Sequence, residues 1–358
     1  MNQHLLDPTD LSVSETDAIL GLAMQMINRE FDPSRLRQGT KLATLFYEPS
    51  TRTRLSFTAA IIELGGHALG FSEAGSSSVS KGETVADTVR VVSKFADIIA
   101  IRHPQEGAPM VAALHASVPV INAGDGGHSH PTQTLTDLLT IKREKGRLDN
   151  LTVGLCGDLK YGRTVHSLLK ALSRYKNNRF VLIAPDELRL PDYIIHAVND
   201  HPSLSFSEQS SLEAAIPDLD VLYMTRIQKE RFDDEAQYIR LKDSFILDAA
   251  KLANAPKQMI IMHPLPRVNE IAPEVDADPR AAYFRQVENG KYVRMALIHT
   301  LLKHNADYRL PEMPPATWQT GNLCKNPRCI SAVEPVIPYN HPAEHNTRRC
   351  VYCDAEIL

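Results

Sequence analysis

The chain has 358 residues, of which 43% are hydrophobic and 23% charged, and its formal net charge is −4. This length accommodates two domains with an appendage, and the composition is ordinary for a globular protein. The charge leaves no basic footprint for nucleic acid, no apolar run is long enough to cross a bilayer, and the N-terminal residues lack the features of a secretory signal. We therefore expect a cytoplasmic protein without nucleic-acid or membrane partners.

Short apolar runs alternate with longer amphipathic stretches, which predicts an α/β fold with parallel sheets. The predicted strands are Leu42–Phe46, Ile98–Ile101, Val118–Ile121, Leu151–Leu155, Phe180–Ala184, Val221–Met224, Phe245–Leu247 and Met259–Met262. The predicted helices between them are Asp17–Ile27, Leu55–Leu64, Thr84–Phe95, Thr132–Lys142 and Thr164–Ser173. A capping box at Ser14-x-x-Asp17 would start the first helix.

An arginine or a histidine follows one predicted strand after another. The segments after the strands are Ser50-Thr51-Arg52-Thr53-Arg54, Arg102-His103, Gly157-Asp158, Thr225-Arg226 and His263-Pro264-Leu265-Pro266-Arg267, and all but Gly157-Asp158 contain an arginine or a histidine. Ligands of open parallel sheets bind outside the carboxyl ends of the strands, so the recurring positive charge predicts an anionic small molecule.

The segment from Ser50 to Arg54 carries the strongest signal for phosphate. It stands between a predicted strand and a predicted helix, where free backbone N–H groups and the positive end of the helix dipole attract anions. Its hydroxyl groups add donors, and Arg52 can supply a bidentate guanidinium.

Two other motifs suggest sites that the residues do not support. Gly157-x4-Gly162-Arg163-Thr164 has the glycine spacing of a P-loop, but Arg163 stands where that motif needs a lysine. His128 and His130 lack a nearby glutamate or third histidine, so we expect no metal there. On composition alone, the stretch from Ser77 to Glu83 is a polar loop.

The end of the chain differs in composition from the rest. Leu310–Pro315 is rich in proline and is typical of a linker. Beyond it, Cys324-x4-Cys329 and Cys350-x2-Cys353 form two close pairs, the ligand set of a closed tetrahedral zinc site. Cys156 stands alone, and in a reducing compartment the terminal cluster indicates a structural Zn²⁺ before disulfides.

Taken together, these motifs resemble the aspartate/ornithine carbamoyltransferase family. The matching segments, in the family's order, are Ser50–Arg54, His103–Gly107, Asn122–Gly126, His130–Thr134, Gly157–Thr164, Met224–Arg231 and His263–Arg267. Pro264 stands where the ornithine branch has a cysteine, so the resemblance is to the aspartate branch. It covers roughly residues 1–306 and implies carbamoyl transfer from carbamoyl phosphate to L-aspartate, in de novo pyrimidine biosynthesis, with no cofactor for the chemical step.

The resemblance also implies a set of binding residues for each substrate. The residues for carbamoyl phosphate are Ser50, Thr51, Arg52, Thr53, Ser77, Lys81, Arg102, His130, Gln133, Leu265 and Pro266. The residues for aspartate are Lys81, Arg163, Arg226, Gln228 and Leu265. The catalytic residues among them would be Arg52, Thr53, Lys81, Arg102 and His130. In this family Ser77 and Lys81 reach the active site of the adjacent subunit, which implies a trimer or a multiple of trimers.

The predicted fold class is α/β, with two doubly wound parallel-sheet domains and a small zinc-bound β module. The predicted boundaries are 1–131 for a carbamoyl-phosphate domain completed by a helix at about 288–306, 132–287 for an aspartate domain, 307–320 for the linker and 321–358 for the module. The module is similar to the zinc domain of the regulatory chain found with some members of the family. The linker leaves no room for the nucleotide-binding domain that precedes that zinc domain there.

Three alternatives remain open at the level of sequence. The chain could be a catalytically silent assembly partner, although its motif residues are intact, or a transcarbamylase for another amino acid. The module could also be a nucleic-acid zinc ribbon, but its basic and acidic residues are nearly balanced, which disfavours that function.

Overall fold

The computed structural model describes residues 4–76, 78–198, 203–227, 235–241, 245–303, 315, 317–343 and 347–357. Two predicted site residues, Ser77 and Gln228, lie outside the described residues, as does most of the predicted linker. The described helices are α1 (Val13–Ile27), α2 (Thr51–Glu63), α3 (Val85–Val92), α4 (Ala108–His115), α5 (Pro131–Lys145), α6 (Arg163–Leu172), α7 (Asp192–Val198), α8 (Leu212–Ala215), α9 (Glu235–Leu241) and α10 (Tyr283–Lys303). Among them, none combines the length and the hydropathy that crossing a membrane requires.

The described strands form three sheets. They are β1 (Lys41–Phe46), β2 (His67–Phe71), β3 (Ile98–His103), β4 (Val120–Asp125), β5 (Thr152–Cys156), β6 (Arg179–Ile183), β7 (Ser205–Gln209), β8 (Val221–Met224), β9 (Ile260–Met262), β10 (Gln319–Thr320), β11 (Tyr339–Pro342), β12 (Arg348–Cys350) and β13 (Glu356–Ile357). The chain divides into two compact units. The first unit comprises Met1–Thr132 and Lys291–Leu358, and the second comprises Gln133–Gly290.

The first unit contains a parallel sheet in the order β2-β1-β3-β4. The strands β1, β3 and β4 are buried almost throughout, because helices cover both faces of such sheets. The strand order changes direction between β1 and β3, where Phe46 pairs with Arg102. The carboxyl ends of these two strands form the switch point at which such sheets bind ligands.

The second unit contains a parallel sheet in the order β7-β6-β5-β8-β9. Its switch point lies between β5 and β8, where Cys156 pairs with Met224. Cys156 is fully buried in the apolar core of this unit, and burial raises the pKa of its thiol, so it is a structural residue.

The two parallel sheets confirm the α/β fold, but several predicted elements were wrong or missed. The edge strands β2 and β7 were not predicted, because their residues are partly exposed and form no apolar run. The stretch Phe245–Leu247 forms only an isolated bridge between Leu247 and Ile271. The predicted capping box of α1 was also wrong: the helix begins earlier, with Ser12 and Glu15 as its reciprocal cap.

The third sheet is antiparallel, with the order β10-β11-β12-β13, and it belongs to the first unit. Cys350 ends β12, whereas Cys324 and Cys329 lie between β10 and β11, and Cys353 and the 2% exposed Tyr352 lie between β12 and β13. The residues around them pack into one apolar cluster with α3, α4 and β3, shared by Val85, Val89, Ile101, Ala108, Val111, Cys329, Ile330, Cys350, Tyr352 and Cys353. The terminal segment is therefore part of the core of the first unit.

Candidate functional site

The start of α2 has the geometry of an anion site. Ser50 is the N-cap residue, and its side chain makes no capping hydrogen bond to the helix. Helix geometry leaves the first N–H groups, including those of Thr51 and Arg52, without partners inside the helix. Both of these side chains are exposed, so hydroxyl, guanidinium and backbone donors converge at the positive end of the helix dipole.

Arg102 stands beside this helix start, at the end of the neighbouring strand β3. Its guanidinium contacts Glu48 Oε1 at 2.7 Å and donates to the Ala123 carbonyl at 3.3 Å. Burial lowers the pKa of Arg102, against the opposing effect of the Glu48 carboxylate. Burial and the proximity of Arg102 together lower the pKa of Arg52. Two cations close enough to lower a pKa favour binding of an anion.

His130 meets Arg102 over the backbone of Gly124. A Cβ added at Gly124, whose φ is +117°, would lie 2.8 Å from Arg102 Nη1 and 3.3 Å from His130 Cδ2. The absent side chain therefore allows the guanidinium and the imidazole to approach the same point. His130 is 4% exposed, and its Nδ1 lies 3.5 Å from Thr132 Oγ1.

A buried carboxylate that the sequence analysis missed organises the loops behind these residues. Asp125 accepts hydrogen bonds from the backbone N–H groups of Gly107 at 2.8 Å and Ser129 at 3.0 Å. It also accepts from Asn122 Nδ2 at 3.0 Å and contacts His128 Nδ1 at 3.0 Å. These bonds join the loop after β3 to the end of β4 and the loop after it. They therefore hold together the two segments that adjoin Arg102 and His130.

Lys81 ends a 3-10 turn that precedes α3, and its side chain is exposed. Gly82 follows at φ +90°, a left-handed conformation that glycine adopts readily. At this exposed position the ammonium group of Lys81 can contact another molecule.

In the second unit, β5 and β8 bring two of the arginines that are predicted to bind aspartate to one edge of the sheet. Arg163 is the first residue of α6, and Arg226 follows Thr225 at the end of β8. The two loops touch: a Cβ at Gly157, whose φ is +114°, would lie 2.3 Å from the Thr225 carbonyl oxygen. Asp158 N–H donates to Thr225 Oγ1 at 3.0 Å. The switch point of this sheet therefore also carries arginines.

The turn after β9 is held by a buried histidine and a glutamate. His263 Nδ1 accepts from Leu265 N–H at 2.7 Å, and its Nε2 lies 2.7 Å from Glu270 Oε1. Burial lowers the pKa of His263 against the opposing effect of Glu270, while Arg267 and Arg226 lower it further. Because Nδ1 accepts from a backbone N–H, Nε2 is the ring nitrogen that can donate to Glu270. The His263 imidazole holds the N–H of Leu265, whose φ is +54°, beside the cis Leu265–Pro266 bond.

Gln133 is oriented by a second buried carboxylate that the sequence analysis did not identify. Gln133 Nε2 donates to Asp137 Oδ1 at 2.7 Å, and Asp137 also accepts from Gln286 Nε2 at 2.7 Å and from the Tyr223 hydroxyl at 2.9 Å. Because the amide nitrogen is held by Asp137, the amide oxygen of Gln133 is the group suited to accept from a ligand amine.

The four terminal cysteines have the geometry of a metal site. The Sγ atoms of Cys324 and Cys353 lie 3.5 Å apart, and those of Cys329 and Cys350 lie 3.8 Å apart. All four sulfur atoms lie within 4.8 Å of one another, and they form the one such group of three or more ligands among the described residues. Four thiolates around a tetrahedral zinc ion at ~2.3 Å would be spaced by about 3.8 Å, so the cluster fits zinc.

Comparisons with known proteins agree with this arrangement. The family model for the carbamoyl-phosphate-binding domain of aspartate/ornithine carbamoyltransferase matches residues 3–143. The model for the aspartate/ornithine-binding domain matches residues 149–301. Residues beyond 301, including the cysteine cluster, lie outside both matches.

Similar proteins are aspartate carbamoyltransferases. The catalytic subunit from Lachnoclostridium phytofermentans is 63% identical over 300 residues, which are 84% of this chain and 98% of that relative. The M. jannaschii catalytic subunit has a TM-score of 0.79 at 47% identity, covering 86% of this chain and 100% of that one. The Trypanosoma cruzi enzyme in complex with carbamoyl phosphate and aspartate has a TM-score of 0.78 at 40% identity, covering 83% and 96%. The chain belongs to the aspartate/ornithine carbamoyltransferase family.

Proposed function

We propose that this chain transfers the carbamoyl group of carbamoyl phosphate to the amino group of L-aspartate, giving N-carbamoyl-L-aspartate and phosphate. The observation that carries this proposal is the cluster of positive charge at the switch point of each parallel sheet. Arg52 and Arg102 mark the first cluster, and Arg163 and Arg226 mark the second. The names and bound ligands of the relatives described above support the two substrates, and a place in pyrimidine biosynthesis stays an expectation from the family resemblance.

The first unit is assigned to carbamoyl phosphate. The start of α2, from Ser50 to Thr53, offers helix N–H groups, hydroxyls and Arg52 to the phosphate. Arg102 and His130, which meet over Gly124, are assigned with Thr53 to the carbonyl oxygen. Because that oxygen becomes negatively charged in the transition state, donors already held in place lower the barrier.

The second unit is assigned to aspartate, with boundaries near residues 132 and 287. Arg163 and Arg226 would bind the two carboxylates, since a guanidinium can form paired hydrogen bonds with a carboxylate. Gln133 and the backbone around Leu265 and Pro266 are assigned to the carbamoyl amino group. The roles of Gln228 and Ser77 rest on the family motifs alone.

The reaction needs positioning and charge stabilisation more than a protein nucleophile. The amine nitrogen of aspartate attacks the carbamoyl carbon, and a C–N bond forms as the carbonyl oxygen becomes an oxyanion. Collapse of this intermediate breaks the C–O bond to phosphate, which leaves with the bonding electron pair while the amine loses a proton. Cations at the phosphate lower the barrier when they bind the leaving group more strongly as its charge grows.

A panel of amino acids tests the proposal. The purified chain, given carbamoyl phosphate and each amino acid in turn, is expected to carbamoylate aspartate with a kcat/KM at least about a hundredfold above that for ornithine. Arg226→Ala is expected to raise the KM for aspartate about tenfold to a hundredfold and to change the KM for carbamoyl phosphate little. Arg189→Ala, which removes a 55% exposed arginine from the same unit, is the control.

Three results would contradict this assignment. Absence of any carbamoyl product from the wild-type chain would favour a silent assembly partner. Preference for another amino acid would make the chain a different transcarbamylase. A KM effect of Arg226→Ala on carbamoyl phosphate alone would mean that the two substrates are assigned to the wrong residues.

We further propose that the four cysteines hold a structural zinc ion and that the terminal module is a fused counterpart of a regulatory-chain zinc domain. The spacing of the sulfur atoms supports the metal, since it matches a tetrahedral thiolate site. When bound, the ion would supply folding free energy to a small β-sheet, and it takes no part in the transfer. A cytoplasmic location stays a prediction.

Assembly as a trimer, with Lys81 donated to the site of the neighbouring chain, is also a proposal. It is supported by the exposed position of Lys81 and by the family motif. Lys81→Ala and Arg52→Ala homo-oligomers are each expected to be inactive. An equal mixture of the two chains, after random subunit exchange, should recover about a quarter of wild-type activity, because one site in four then combines two wild-type residues from adjacent chains.

Native mass spectrometry shows whether the mixed oligomers form. Mixing Lys81→Ala with a second Lys81→Ala preparation, carried through the same exchange, is the control and is expected to stay inactive. Mixed oligomers that form and remain inactive would show that Lys81 does not cross between subunits.

A further inference from the structure

The terminal module is joined to the loop after β3 by its own metal-binding segment. Glu106 pairs with that segment on both sides: its N–H donates to the Arg328 carbonyl at 2.9 Å, and its carbonyl accepts from Ile330 N–H at 2.9 Å. The Glu106 carboxylate accepts from Asn326 Nδ2 at 2.7 Å. Cys329 is therefore flanked by backbone contacts with the segment that follows Arg102.

A second contact reaches α3. Both carboxylate oxygens of Glu334 accept from the Val85 N–H, at 3.0 and 3.1 Å, although the two residues are 249 positions apart in the sequence. Val85 is the first residue of α3, and the preceding residue, Thr84, caps the N–H of Asp87 at 3.1 Å. The two acceptors thus satisfy different N–H groups of the first turn, and a carboxylate is favoured there by the helix dipole.

This contact lies close to a proposed catalytic residue. Three residues separate Lys81 from Val85, and the first of them, Gly82, has a φ of +90°. Glu83 is itself held by a hydrogen bond from Thr88 Oγ1 to its carboxylate at 2.9 Å. The start of α3 is consequently the fixed end of the loop that carries Lys81.

The module presents Glu334 from a turn that begins at a zinc ligand. Cys329 precedes the 3-10 turn Ile330–Ala332, and Glu334 N–H donates to the Ile330 carbonyl at 2.9 Å. Ile330 is fully buried and belongs to the same apolar cluster as Val85 and Val89 of α3. A zinc ion that ordered the cysteines would therefore also order the residues that contact α3.

We infer that the module acts within its own chain as an anchor for the Lys81 loop, and that Glu334 is a positioning residue for carbamoyl transfer. The inference rests on the function proposed above, to which it adds a route from metal binding to the active site. Glu334 contacts no substrate. It fixes the start of α3, and thereby limits the positions from which Lys81 reaches the neighbouring site.

The test compares Glu334→Ala and Glu334→Gln with Glu356→Ala in the full-length chain. Glu356 is an exposed carboxylate of the same module, on β13. All three variants are expected to keep their zinc. In Glu334→Ala, hydrogen exchange of the peptide that spans residues 77–90 should be about three to ten times faster, as expected for the loss of a helix cap. Glu334→Gln keeps one acceptor oxygen and should recover part of this protection.

Kinetics provide the second measurement. Glu334→Ala is expected to raise the KM for carbamoyl phosphate about fivefold and to leave kcat within about twofold, because the chemistry is intact once the loop is in place. Removal of zinc from the wild-type chain with a chelator should accelerate exchange in the same peptide. Glu356→Ala should match the wild type in both measurements.

Unchanged exchange at residues 77–90 in Glu334→Ala would overturn the inference, whatever the activity. Faster exchange with an unchanged KM would overturn the positioning role. An inactive wild-type chain would contradict the proposed function, whereas the exchange measurement would still report whether the module holds α3.

Discussion

Arg52→Ala is expected to reduce kcat/KM for carbamoyl transfer by at least about a hundred- to a thousandfold, the effect of removing a donor that stabilises charge in a transition state. Arg52 lies in the first turn of α2, where partial burial and the proximity of Arg102 lower its pKa. The described helix start has one other cation, Arg54, and it lies two residues farther into the helix.

The fold should survive this substitution, because the Arg52 side chain is exposed and alanine is a good helix former. Arg52→Lys keeps the charge but loses the paired hydrogen bonds, so we expect an intermediate activity. Arg35→Ala, which removes another exposed arginine from the first unit, serves as the control and should retain full activity. Thermal unfolding and steady-state kinetics check these expectations. Wild-type turnover in Arg52→Ala at saturating carbamoyl phosphate would remove the start of α2 from the active site.

The sequence predicted the central strands and the residues at their ends for a simple physical reason. The strands β1, β3, β5 and β8 are buried on both faces and therefore form continuous apolar runs. The edge strands β2 and β7 have no such run, so their pattern does not distinguish them from loops. The order of strands in each sheet, which creates the switch points, depends on pairings between distant segments.

The positioning carboxylates were harder to predict than the binding residues. Asp125, Asp137 and Glu270 act by accepting several hydrogen bonds in the interior, some from nearby residues and some from distant ones such as Gly107, Tyr223 and Gln286. An isolated acidic residue in a sequence is more often a solvated surface charge, so nothing local marks these three. The bond between Glu334 and Val85 spans 249 residues and belongs to the same class.

The terminal module gave the least complete prediction. Cysteine spacing predicted the cluster that the structure brings together, and the proline-rich stretch before it suggested a separate appendage. The structure instead packs the module into the core of the first unit, because Ile330 and Tyr352 are apolar side chains that bury against α3 and α4. Neither residue stands out in the sequence, since single apolar residues in a short irregular segment have no periodicity to reveal their partners.

Cys350→Ser is expected to reduce bound zinc from about one ion per chain to nearly none, because a closed tetrahedral site needs all four thiolates. Metal analysis of the purified protein measures this. Cys156→Ser is the matched control: Cys156 is also fully buried, but it lies in the second unit, outside the cysteine cluster, so this variant should keep its zinc. Loss of zinc from both variants would mean that the metal content reports general unfolding.

The same substitution should lower the stability of the first unit. Without the metal, the module cannot hold Ile330 and Tyr352 in the shared cluster, and burying each of these side chains contributes about 1.5–3 kcal/mol. Losing both would lower the midpoint of thermal unfolding by roughly 10 °C, at about 2–4 °C per kcal/mol for a unit of this size. Hydrogen exchange should also accelerate at the start of α3, whose Val85 loses both its apolar cover and the Glu334 carboxylate. A zinc-free Cys350→Ser chain with wild-type thermal stability and unchanged exchange at Val85 would show that the module docks on the first unit independently of its metal.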